Sequence, residues 1–362
     1  MTSLNTPLCR DLSMSVPIFG FAHSIDVTAA ISLAGGMGIY GAARDEPDAI
    51  SGKLNAVRAK VGDKPFGVDI MLPKGMPDGT LDELRAGLPD GHLRFVEQLK
   101  AQYEVPDAAG NSFFNSSMRS DAFFEAQLDA VLSTDVDFVA FGTGFDRDRV
   151  ARVKAAGKPV GALIGLPKHA RAALDAGIEV IVAQGTEAGG HTGQVSTLTL
   201  IPQVVEMAGG VPVVAAGGIG HGSQVAASLA MGAQGAWLGT AWLTTEEHAL
   251  GDGKVAKLLA ADSNDTVITR ASSGKPQRQL KSMWSEVWAA PNAPEPLKMP
   301  YQHALVGDLI TAVEEREITP LLTEPAGQSV AWCRDVESVA AVIERLMAET
   351  DQALDDMTKM IR

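Results

Sequence analysis

The chain has 362 residues, 46% of them hydrophobic and 20% charged, which is enough apolar material for a large core and too much for a disordered polymer. A net charge of −14 with no cluster of Lys and Arg argues against nucleic acid as a partner, since that needs a basic surface that displaces counterions. Two cysteines far apart, Cys9 and Cys333, give neither a disulfide framework nor a zinc site and suit a reducing compartment. The start lacks a basic-then-apolar leader and no apolar run is long enough to span a bilayer, so the expected location is cytoplasmic, with no membrane contact.

Short apolar runs, half of them ending in Gly and followed by helical periodicity, recur along the chain, which is the rhythm of βα units around a parallel sheet. In chain order the predicted strands are 16–20, Met37–Gly41, 66–72, 136–142, 159–164, 179–184, 212–216 and 235–239. Helices are predicted at 24–34, 46–61, 147–156, 169–176, 199–208 and 223–231. Asp26 and Asp146 are the expected N-caps, and Gly157 and Gly177 the expected C-cap glycines. Eight such units close a barrel more naturally than they form an open doubly wound sheet, so the predicted fold is α/β, a (β/α)8 barrel spanning 1–244. The Pro-rich stretch 73–121 reads as an excursion after strand three, 245–320 as a lid or cap, and 321–362 as closing helices that pack back on the barrel. Trp284 and Trp288, one helical turn apart, suit either a core or a homodimer interface, with core packing favoured.

Barrel enzymes carry their chemistry on the loops after the strands. Strand six runs into Gln184-Gly185-Thr186-Glu187-Ala188-Gly189-Gly190-His191-Thr192-Gly193, where four glycines let the backbone approach a flat ligand and one imidazole can move protons near neutrality. By chemistry alone His191 is either that proton-transfer group or a strut of its own loop; its place after a barrel strand favours the first. Strand seven ends in Ala215-Ala216-Gly217-Gly218-Ile219-Gly220, with Gly222 opening the next helix, and strand eight ends in Leu238-Gly239-Thr240. Two such turns on adjacent strands look like a phosphate cradle of backbone amides helped by a helix N-terminus. His221, in the same turn, reads as a surface residue. Asp69, an acid in an apolar strand, either meets a polar cofactor edge or is satisfied by a nearby Lys. Ile18-Phe19-Gly20 ends strand one, where backbone groups could face a bound ring, although Phe19 or Phe21 could equally be core. Strand ends carry no His-x-His pair or carboxylate cluster with ligand spacing, so no metal is expected.

These residues resemble the nitronate monooxygenase family over most of the chain. The segment from Ala183 to Gly193 matches that family's histidine loop. Ala34-Gly35-Gly36-Met37-Gly38 and Lys64-Pro65-Phe66-Gly67-Val68-Asp69 look like its second- and third-strand signatures, and the Gly217-Gly218 and Gly239-Thr240 turns look like its phosphate turns. Segments 266–280 and Ala326-Gly327-Gln328 echo it beyond the barrel. The resemblance implies one non-covalent FMN. His191 would act as acid or base beside it, Gln184, Gly189 and Gly190 would line the flavin, and Gly217, Gly218, Gly239 and Thr240 would hold its phosphate. Ile18, Phe19 and Gly20 would meet the ring through the backbone. Two departures stand out: the family's Pro-Met-Gly reads Ile18-Phe19-Gly20 here, and its third-strand Asn is Asp69, a carboxylate that would alter local charge.

The expected activity is therefore oxidation of alkyl nitronates by O2 to a carbonyl product and nitrite. The alternative is NAD(P)H-dependent reduction of an unsaturated acyl thioester, as in flavin-dependent enoyl-acyl-carrier-protein or acyl-CoA reductases with a similar Glu-x-Gly-Gly-His loop. Lys275 and Arg278 would then offer a basic groove for the carrier or CoA phosphate, unless they merely sit in a solvated loop. A non-catalytic flavin-binding protein is the third possibility.

Overall fold

The computed structural model describes residues 4–73, 75–77, 79–116 and 119–361. Eight parallel strands close into a barrel: Ile18–Ala22, Met37–Gly41, Phe66–Met71, Phe138–Thr143, Val160–Ile164, Val180–Gln184, Val213–Ala216 and Gly235–Leu238. Closure is made by strand one, which pairs with strand two (Phe19 opposite Met37) and with strand eight (Phe19 opposite Trp237). Along each strand alternate residues face the barrel interior and the surrounding helices. Phe19, Met37, Ile39, Phe138, Val182 and Val214 fill the interior, while Ile18, Val68, Phe141, Ile181 and Ala215 pack outward.

Strand one runs two residues further than the Gly-terminated pattern implied, ending at Ala22 instead of Gly20. Gly20 is a packing glycine inside the strand, not its end: a Cβ there would lie 2.3 Å from Ile31 Cδ1 and 2.9 Å from the Trp242 indole. The first helix, Ile25–Leu33, is capped by Ser24, whose Oγ accepts from Val27 N at 3.3 Å. The expected cap, Asp26, sits in the first turn and pairs with Lys60 at 3.0 Å instead. Asp146 does cap Arg147–Ala155, and Gly177 ends Pro167–Ala176 in the left-handed conformation at φ 88°.

A short helix, Pro7–Asp11, closes the N-terminal end of the barrel and was not anticipated. Leu8, Cys9, Leu12 and Met14 join the interior cluster, and Thr6 and Leu8 bond to Gln234 just before strand eight. Over the opposite end lies a second core. Leu88, Val96, Leu99 and Val105 from the excursion pack with Trp284, Trp288, Leu305, Val306 and Leu309 from the lid region, so the two segments form one structure and not two. Trp284 and Trp288 are 2% and 5% exposed, which makes them core. Two strands of this region, Thr266–Thr269 and Gln277–Leu280, form a small antiparallel sheet whose third member is Gly190–His191 from the barrel loop.

The last helix, Val339–Ile361, lies against Gly222–Ala230, approaching so closely that a Cβ on Gly222 would be 2.3 Å from Leu346 O. No helix among the described residues is long and apolar enough to cross a membrane.

Candidate functional site

A cavity of about 380 Å³ lies between the C-terminal strand tips and the second core. Of the residues anticipated from sequence, Asp69, Gln184, Gly189, Gly190, His191, Gly217, Gly218, Gly239 and Thr240 all line it. Ile18, Phe19 and Gly20 do not. Because strand one is longer than expected, its tip is Phe21-Ala22-His23, and those three face the cavity. Ile18 and Phe19 are fully inside the core, so the departure from the family pattern read at these positions does not reach the cavity.

The histidine loop is fixed at both ends. Gln184 Nε2 donates to His191 O at 2.9 Å, and Thr192 Oγ1 donates to Gly185 O at 2.9 Å. The Glu187 carboxylate accepts from Thr197 N and Oγ1, at 2.9 and 2.8 Å, and so caps helix Thr197–Ala208. Gly189 touches the backbone of Ala326 and Gly327 at a distance that leaves no room for a Cβ. Arg278, offered from sequence as part of a basic groove, is 8% exposed. It spends its guanidinium on Thr186 O (3.0 Å) and Thr266 Oγ1 (2.9 Å), tying the small sheet to the loop.

His191 pairs with Gln277 in that sheet, and its Nε2 lies 2.8 Å from Ser273 Oγ. The Ser273 hydroxyl donates to Lys275 O at 3.2 Å, so toward His191 it accepts, which puts the ring proton on Nε2. The lone pair is then on Nδ1, which has no hydrogen-bond partner among the described residues. Burial, with Lys275 adding repulsion, lowers the imidazole to about 4, so it is neutral across physiological pH. An uncharged ring with a free lone pair in a cavity can take a proton or accept a hydrogen bond.

Gly217 and Gly218 adopt φ of 101° and 70°, conformations that favour glycine. The Gly218 amide has no hydrogen-bond partner among the described residues, while the Gly217 amide stands at the end of the ladder that pairs Ala216 with Trp237, and a Cβ on Gly217 would meet Gly185 O at 2.8 Å. This turn can present the Gly218 N–H to an anion such as a phosphate. The next helix contributes less than its sequence suggested. Gly220 N and His221 N are taken by Gln224 Oε1, Gly222 N by Glu349 Oε2, and Ser223 N by His221 Nδ1. His221 is thus a cap. Thr240 is held at the cavity wall, its Oγ1 accepting from Gly327 N at 2.9 Å.

Asp69 is 5% exposed, and among the described residues its Oδ2 has no hydrogen-bond partner and no Lys pairs with it. Burial pushes its carboxyl well above the usual carboxylate range, which favours the protonated form that can donate a hydrogen bond. An orphaned buried acid and the positive-φ glycine turn around one cavity fit a polar, phosphorylated, flat ligand.

Sequence reasoning missed His303, His23 and Arg44, which also line the cavity. His303 comes from helix Tyr301–Glu315 in the second core and has its ring edge against Phe113 and Phe114, at 5.6 and 6.0 Å. Nothing local in Tyr301-Gln302-His303 marks it, because its role comes from segments distant in the chain. Lys254, also at the wall, lies between Glu314 (2.7 Å) and Glu324 (2.8 Å).

Comparison with known proteins adds three findings. The family model described as nitronate monooxygenase matches residues 14–349. Among relatives, a Mycobacterium tuberculosis protein named Rv1533, with an assignment as a monooxygenase, is 39% identical over 361 residues, covering 96% of both chains. A hydroxy-methyl-oxo-octahydroindene carboxyl-CoA dehydrogenase from the same organism is 30% identical, covering 77% of this chain and 67% of its own. Among solved structures, nitroalkane oxidase from Streptomyces ansochromogenes superposes with a TM-score of 0.81 at 30% identity, over 97% of this chain and 99% of its own.

Proposed function

The chain belongs to the nitronate monooxygenase family, an oxidoreductase family, and from that premise we propose that it is an FMN enzyme that oxidises alkyl nitronates with O2 to a carbonyl compound and nitrite. The observation that carries this reading is the neutral His191, with a free Nδ1, in the same cavity as the positive-φ Gly217-Gly218 turn. Bound FMN would supply the electron-accepting ring and the route to O2. Gly217, Gly218, Gly239 and Thr240 would hold its phosphate, while Gln184, Gly189 and Gly190 would line its ring. Asp69 would donate a hydrogen bond to a polar edge of the ring, which a neutral acid can do and a carboxylate cannot. His191 Nδ1 would remove the α-proton of a neutral nitroalkane, or orient the anion when the substrate arrives already ionised. The cavity lies under the second core.

The purified protein should be yellow, with an oxidised-flavin spectrum, and should release nitrite from ethylnitronate in air. A colourless protein that refuses added FMN, or a loaded one that turns over no nitronate, removes the proposal. The likeness to a carboxyl-CoA dehydrogenase supports a second reading, reduction of an unsaturated acyl thioester with NAD(P)H. The inward-turned Arg278 weakens the basic groove that reading needed. Rapid anaerobic bleaching of the flavin by NADPH would favour it.

A further inference from the structure

Beside the main cavity lies a smaller chamber of about 40 Å³. Met71, Phe113, Phe114 and Met299 line both spaces, so the two share a wall. Met76, Leu84 and Phe124 close the far side. Room is left by Ala43 and Ala304, each a methyl group where a longer side chain would fill the space. Ala304 follows His303 on the helix Tyr301–Glu315 and borders the chamber but not the main cavity.

Eleven of the thirteen lining residues are apolar, and among the described residues the lining holds no hydroxyl, carboxylate or amide side chain. Ordered water keeps to sites with about 2–4 polar partners, whereas an apolar chamber takes apolar guests. One water molecule needs about 10–15 Å³ on the same measure, so this space admits a few heavy atoms. Three of its walls are Met, whose flexible, polarisable side chains attract a small apolar guest and can move to admit it.

The two polar residues are His303, edge-on to Phe113 and Phe114, and Arg119. The Arg119 guanidinium packs over Phe123 at 4.2 Å and Phe113 at 5.0 Å and pairs with Glu46 at 3.5 Å. Its Nε and Nη1 have no hydrogen-bond partner among the described residues. An apolar space with cationic N–H groups at its rim suits a small molecule that is apolar when it binds and gains negative charge when it is reduced.

We propose that this chamber is a dioxygen site, which holds the gas against the wall of the cavity in which the nitronate is oxidised. The use made of the gas rests on the nitronate reading; the site itself does not.

Xenon is the probe. Crystals of the wild type pressurised with xenon should show an atom bounded by Met71, Met299 and Ala304, and crystals of Ala304→Leu should not. In stopped flow, O2 should reoxidise the photoreduced, FMN-loaded protein several-fold more slowly in Ala304→Leu, and in Leu84→Phe as a second plug from the opposite wall. Xenon at fixed O2 concentration should slow the wild type likewise. Anaerobic reduction of Ala304→Leu by ethylnitronate should match the wild type. A chamber that takes no xenon, wild-type reoxidation that xenon leaves unchanged, or unchanged reoxidation in folded Ala304→Leu each overturns the site. Normal reoxidation of Ala304→Leu with slowed reduction by butylnitronate would make the chamber an alkyl pocket instead. The xenon measurements on the wild type decide the matter even if a variant fails to fold. Xenon-slowed reoxidation in a protein that no nitronate reduces would remove the reaction and leave the dioxygen site standing.

Discussion

At the scale of single residues, the site is defined by groups whose ordinary charge burial has removed. Asp69 has a partnerless Oδ2 and a carboxyl held well above the usual carboxylate range by desolvation. A carboxyl whose folded pKa exceeds its unfolded value binds its proton more tightly in the folded state, so its contribution to stability is lost as pH rises above the ordinary carboxylate range. Asp69→Asn should therefore melt above the wild type at pH 8, by a margin worth about 1–3 kcal/mol, and the margin should shrink as pH falls toward the carboxylate range. A thermal-unfolding series across pH reads this directly, and a pH-independent difference would contradict it. His191 has the opposite sign of shift for its type: its pKa is lowered to about 4, so the free ring stays neutral until the solution is strongly acidic. The acid limb of kcat/KM should accordingly fall near pH 4 and not near the unperturbed imidazole value. His191→Gln should reduce turnover of a neutral nitroalkane by about 10²- to 10⁴-fold while the flavin absorbance of the purified protein stays. Loss of flavin along with activity would instead make His191 a strut of its loop.

At the scale of elements, glycines did two different things, and the sequence pattern could not separate them. Gly217 and Gly218 are where a turn needs positive φ, and both line the cavity. Gly20 looked like the end of strand one, yet it sits mid-strand because Ile31 and Trp242 occupy the space of its missing side chain. That error moved the predicted tip by two residues and hid Phe21, Ala22 and His23. Gly38 is the tightest packing glycine among the described residues: a Cβ would fall 1.9 Å from Thr28 O, on the helix that crosses strand two. Because the clash is with backbone, Gly38→Ala has to push helix and strand apart. It should cost roughly 1–3 kcal/mol or prevent folding, measured by chemical denaturation. A variant as stable as wild type would show that the helix is free to shift. The helix Gly222–Ala230 teaches the same caution about motifs, since Gln224, Glu349 and His221 already satisfy its opening amides.

At the scale of the whole molecule, the excursion and the lid read as two insertions but share one core around Trp288, which stacks edge-on with Phe95 at 4.9 Å and with Trp284 at 5.8 Å. Trp288→Ala should cost about 3–5 kcal/mol locally. The loss should appear first as faster hydrogen exchange in Asp90–Gln102 and Tyr301–Glu315, with the barrel strands still protected. Uniform loss of protection along the chain would mean that the two cores unfold as one. The sequence by itself determined the eight βα units, the glycine turns at the strand tips and the histidine loop, because strand and helix periodicity and the conformational demands of glycine act between near neighbours. Only the tertiary structure decided which residues of strand one meet the cavity, that Asp69 has no counter-charge among the described residues, and that His191 leans on Ser273, 82 residues away. Burial and partners are properties of the folded surroundings, and residues distant in the chain set both.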